Sequence, residues 1–136
     1  MFTAINRNLL KSIMLADGIF SLAAAALLFI LPGPIGALVG PLATPAALNA
    51  FAAFFVLWGA FHLVVSRQEQ PSAAAVRFAI AGDAAWIIGS IAVLIFAGNG
   101  LTLTGMGFIA LAAVIVADVL LLKQVGLGRQ RRAALA

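Results

Sequence analysis

Four ionisable side chains stand isolated inside long apolar runs of this chain: Asp17, His62, Asp83 and Asp118. Carboxylates and an imidazole accept, hold and pass on protons, or bind cations. Inside a bilayer such groups are costly unless they face a protein interior or a water-filled cavity. Each stands at nearly the same remove from a basic residue. Asp17 is six residues after Lys11 and Asp83 six after Arg77, while His62 is five before Arg67 and Asp118 five before Lys123. With a helical rise of 1.5 Å per residue, all four fall roughly 7–9 Å inward from the basic belt. They form one predicted layer in the cytoplasmic third of the bundle. Three carboxylates there need protonation or an entering cation. The candidates are Lys11, Arg77 or Lys123 from neighbouring helices, a metal ion, a proton or an organic cation. The plainer reading of the layer is interhelical glue, each aspartate meeting a basic or hydroxyl partner such as Ser21 or Ser90.

The elements that must position these groups are predicted to be membrane helices. The sequence is 65% hydrophobic and 9% charged, against about 25% charged in soluble domains. A membrane helix needs roughly 20 apolar residues, and four such spans fit: residues 9–31, 46–66, 74–97 and 101–122. An uncharged, proline-rich loop over 32–45, a polar loop over 67–72 and a tight turn over 98–100 separate them. A basic tail occupies 123–136. No room is left for a soluble catalytic domain. The first span also has the basic start of a signal peptide, but it exceeds the usual 7–15 apolar residues and contains Asp17, so a retained helix is predicted.

Every Lys and Arg falls on one side if four spans are counted: Arg7 and Lys11, then Arg67 and Arg77, then Lys123, Arg129, Arg131 and Arg132. The positive-inside rule puts that side in the cytoplasm. The expected protein is therefore an all-α, four-helix bundle of the bacterial inner membrane with both ends inside. Lys11, Arg67, Arg77, Lys123 and the tail arginines are expected to anchor to lipid headgroups, and no nucleic-acid partner is implied. Laying one half over the other aligns Asp17 with Asp83, His62 with Asp118, and Arg67–Gln68 with Lys123–Gln124. That is the pattern of a tandem helical hairpin.

Phe51, Phe55, Trp58 and His62 share one face of the second span. Phe55 and Trp58, with Trp86, Ser21 and Ser90, could line a pocket for an apolar or cationic ligand; the plainer reading of the aromatic stripe is packing. One His and three Asp on four helices lack the local spacing of a metal motif, and neither a metal nor a cofactor is expected. His62 is the only histidine, so a haem held by two histidines is excluded within one chain, while a single axial bond stays open. There is no cysteine, hence no disulfide and no thiol chemistry. Ala81, Ala85 and Gly89 form a small-residue ridge that lets another helix approach, within the bundle or from a second copy.

The segment Ala81–Gly82–Asp83–Ala84–Ala85–Trp86, followed by Ser90, resembles small four-helix bacterial membrane proteins of unassigned function. These show a polar residue, then Trp, then Ser in the third helix, and an Asp in the first, here Asp17. That group usually carries Asn where this chain has Asp83. The resemblance implies a fold and a topology but no activity. The size and helix count are also similar to those of small multidrug-resistance transporters, a likeness of architecture only. Two functions are open. One is a proton- or cation-coupled carrier using Asp17, His62, Asp83 and Asp118, open to the cytoplasm. The other is a non-catalytic accessory or assembly subunit of a larger membrane complex. No catalytic spacing or nucleotide loop points to an enzyme.

Overall fold

A computed structural model describes residues 8–135; Arg7 lies outside the described residues. These residues form no strand, and their helices run α1 (Leu9–Ile30), α2 (Pro32–Val39), α3 (Pro45–Ser66), α4 (Ala73–Phe96) and α5 (Leu103–Leu135), with a 3-10 turn at Gly98–Gly100 before α5. Among the described residues four helices, α1, α3, α4 and α5, are long and apolar enough to cross a membrane. The chain is a four-helix membrane bundle.

The helix starts follow local chemistry. Thr44 caps α3 by accepting from Ala47 N at 3.2 Å, with Pro45 at the first helical position. Ser72 caps α4 by accepting from Ala75 N at 3.1 Å, while its own N–H donates to Gln68 Oε1 at 2.9 Å. Each cap satisfies a backbone donor that the helix itself leaves orphaned.

Two segments depart from expectation. The loop predicted over 32–45 contains the eight-residue α2. Its prolines fall in the first turn, where the missing N–H costs nothing and the fixed φ suits a helix. The predicted tail is the continuation of α5, which at 33 residues measures about 50 Å against a hydrocarbon core of about 30 Å. No proline interrupts it, and its first added turn is anchored: Gly126 and Leu127 are buried, Leu127 clusters with Leu10 and Val76, and Gln130 Nε2 donates to Pro71 O at 3.0 Å.

The helices pack as two close pairs. A Cβ on Gly59 of α3 would lie 2.9 Å from Gly18 O of α1, so this crossing requires glycine. The second pair is α4 with α5. Between α3 and α4 the backbones stand apart, and an aromatic wedge fills the gap. Trp58 occupies the notch left by Gly82, where a Cβ would sit 2.2 Å from Trp58 Cη2. Gly82→Ala is expected to expel the indole and lower stability by about 1–3 kcal/mol, as overpacking does. The unfolding midpoint in detergent checks this.

The end of the bundle opposite the chain termini is stitched by backbone bonds. Thr102 N donates to Val39 O at 2.9 Å and Leu42 N to Gly100 O at 3.2 Å; Thr102 Oγ1 donates to Leu38 O. Gly40 has φ 122°, a conformation that favours glycine. This end carries no Lys or Arg, whereas the loop over 67–72, the start of α1 and the end of α5 meet at the other end.

Candidate functional site

α1, α3, α4 and α5 each send one polar side chain to a single buried point, and Lys123 of α5 stands at its centre. The lysine is 0% exposed. Its Nζ lies 2.5 Å from Asp17 Oδ2, 2.7 Å from Asp83 Oδ2 and 3.0 Å from His62 Nε2. An ammonium has three donors and no acceptor, so all three are used. His62, also 0% exposed, places Nδ1 2.8 Å from the Trp58 carbonyl oxygen and Nε2 3.1 Å from Asp17 Oδ2. The indole of Trp58 meets the imidazole edge-on at 4.8 Å between ring centres.

This layer differs from the predicted one in a single exchange. Asp17, His62 and Asp83 come together, each able to turn a ligand atom to one point within 4.8 Å of the others. Asp118 is exposed on the outside of α5. Lys123, expected both among the headgroup anchors and among the cations that could enter the layer, takes its place and does the second. Five residues correspond to about 140° around a helix axis, so α5 cannot present both Asp118 and Lys123 to the interior. Polarity decides the reach. Side chains lean toward the N-terminus of their helix, and α5 ends at the charged end of the bundle. Lys123 therefore leans into the membrane, whereas Lys11, at the start of α1, leans out of it. Asp118→Asn is expected to leave the stability in detergent unchanged, because a lone exposed side chain holds nothing together.

The hydrogen bonds fix one proton and leave one movable. A carbonyl only accepts, so His62 Nδ1 carries a hydrogen. Nε2 is then either bare, accepting from Lys123, or protonated and donating to Asp17. Counting charges with both carboxylates ionised, the cluster carries −1 in the first state and 0 in the second. Three ligand atoms of the kinds a metal favours do converge here, but the ammonium of Lys123 fills the centre and supplies the cation.

The remaining expected residues are distributed as follows. Arg67, Arg77, Arg131 and Arg132 are exposed, Arg129 is exposed as well, and Lys11 is partly buried. Ser21 and Ser90 are buried, yet neither belongs to the cluster. Phe55 and Trp86 pack on each other at 5.3 Å between centres, so with Trp58 they form the wedge between α3 and α4. A cleft of about 500 Å³ lies instead at the uncharged end, between α2 and Thr102. Gly18 and Gly59 belong to the site by bringing α1 and α3 together beside Asp17 and His62. Their signal in the sequence is only a glycine one residue from Asp17 and another three from His62.

No protein-family profile, curated protein or solved structure matches the chain. The fold and the site therefore define only the class: a multi-pass helical membrane protein with a buried, charge-coupled cluster.

Proposed function

We propose that the protein is a small proton-coupled membrane carrier whose Asp17–His62–Asp83–Lys123 cluster takes up and releases one proton. The observation that carries this is the position of His62 Nε2, 3.0 Å from Lys123 Nζ and 3.1 Å from Asp17 Oδ2. One proton on Nε2 switches its partner and neutralises the cluster. A net charge is costly at this depth in lipid, so loading and unloading bias the helices that carry the four groups. The cation at the site is the protein's own, and no catalytic step is assigned to it. The cluster of basic residues at one end of the bundle supports an inner-membrane orientation with both termini cytoplasmic.

The test is proton exchange in reconstituted vesicles carrying an internal pH dye. Wild-type protein is expected to bind and release protons, with infrared difference bands from the imidazole or a carboxyl group. Asp17→Asn with Asp83→Asn is expected to abolish both signals. Unchanged exchange in the double variant would sink the proposal.

One observation favours the second reading, an accessory or assembly subunit of a larger membrane complex. The ridge of Ala81, Ala85 and Gly89 is exposed on α4, and a Cβ on Gly89 would meet nothing within 4 Å. Purification in mild detergent separates the readings: a stable partner of different sequence supports the accessory role, and a homodimer showing proton exchange supports the carrier.

A further inference from the structure

The interior on the two sides of the cluster is built differently. Toward the chain ends lie two apolar layers. The first, one turn away, is Met14, Val65 and Ala79, at 0%, 3% and 0% exposure. The second, a further turn on, is Leu10, Val76 and Leu127, all buried. Met14 and Val76 are among the largest fully buried side chains of the described residues. Both apolar core clusters therefore stand on the charged side of the site, and this is where the sequence had suggested an opening.

Toward the uncharged end the buried side chains are small or polar. Ser21 is one turn beyond Asp17 on α1, and Ser90 is two turns beyond Asp83 on α4; both are buried. Gly18, Ala25, Ala52, Gly59 and Gly105 are also buried in that half, and Leu48 lies buried at its far end. Trp86 lies between Asp83 and Ser90 on the same face of α4. Its ring sits against Phe51 and Phe55, two to three turns outward of His62. Its Nε1 is a buried donor with no hydrogen-bond partner among the described residues. Buried donors in folded proteins are commonly paired with protein or with water, and a water molecule reaching this point would find a free donor.

We infer that the cluster exchanges with the aqueous phase from the uncharged end only, along a water path past Trp86, Ser90 and Ser21, while the two apolar layers close it toward the chain ends. The inference rests on the proton reading for its purpose but not for its geometry. A proton reaching Asp83 or His62 arrives from the side of α2. Release toward the chain ends requires the Met14 and Leu10 layers to part.

The absence of cysteine makes the test direct. Single cysteines are placed at Ser21 and Ser90 on the path, at Met14 and Ala79 in the plug, and at the exposed Gln70 and Asn99 to mark the two ends. A charged, membrane-impermeant thiosulfonate is applied to vesicles from each side in turn. Ser21→Cys and Ser90→Cys are expected to react only from the side on which Asn99→Cys reacts. Met14→Cys and Ala79→Cys are expected to be protected from both sides. Labelling of either plug cysteine from the side of Gln70→Cys, or protection of both path cysteines from both sides, overturns the inference. Retained unfolding midpoints show that each variant is folded. Labelling reads water access alone. A path without proton exchange defeats only the carrier proposal, whereas exchange without a path defeats only this inference.

Discussion

Replacing Lys123 with methionine is expected to destabilise the bundle more than any other single substitution in the site. The side chain is 0% exposed and is the shared partner of Asp17, Asp83 and His62. Methionine nearly preserves the volume but removes the positive charge. Two carboxylates then remain beside each other, carrying −2 in place of −1 if His62 stays neutral. Removing one partner from a buried ionic network costs about 3–5 kcal/mol, because the charges left behind are uncompensated. The unfolding midpoint in detergent should fall accordingly, and the cluster should recover part of the loss by taking up protons. A triple variant distinguishes lost charge balance from lost packing. Asp17→Asn, Asp83→Asn and Lys123→Met together leave no ion to compensate, and stability is expected to return most of the way to wild type. A Lys123→Met protein as stable as wild type would show that the lysine is not the counter-ion of the layer.

The second large effect is expected at Gly59. A Cβ there would lie 2.8 Å from Leu22 Cγ and 2.9 Å from the backbone oxygen of Gly18. Leu22 can rotate away, but a helix carbonyl cannot without moving α1. Gly59→Val should therefore drive α1 and α3 apart where they bring Asp17 and His62 to 3.1 Å. Overpacking of this kind costs about 1–3 kcal/mol. The functional loss should be larger than the stability loss, since a hydrogen bond does not survive an added ångström. Proton exchange should disappear while the helical signal in circular dichroism persists. If exchange survived in a folded Gly59→Val protein, the contact between His62 and Asp17 would not be part of the relay.

Both effects arise from features that differ in how far the primary structure discloses them. The four spans were legible because lipid tolerates only long, uncharged, hydrogen-bonded segments; their predicted bounds lie close to those of α1, α3 and α4. The depth of Asp17, His62 and Asp83 was legible too, because helical rise is a constant. The expected hairpin repeat holds for Asp17 and Asp83, which both enter the cluster, and breaks in the second helix of each half. His62 was aligned with Asp118 and Arg67 with Lys123, yet His62 and Lys123 face inward while Arg67 and Asp118 are exposed.

What the sequence determines by itself is therefore position along the membrane normal: which segments span, which end is charged and how deep each polar group lies. Direction around each helix axis was decided only by the tertiary structure. Asp118 and Lys123 point about 140° apart on one helix, and local pattern does not favour one over the other. The choice came from packing across the bundle. Gly18 and Gly59 draw α1 against α3, Trp58 in the notch of Gly82 sets the spacing to α4, and α5 turns toward the others the one residue whose charge offsets two aspartates. The layer of four groups was readable as a depth with Lys11, Arg77 and Lys123 as its candidate cations, and the choice of Lys123 became visible only once the helices were rotated against one another.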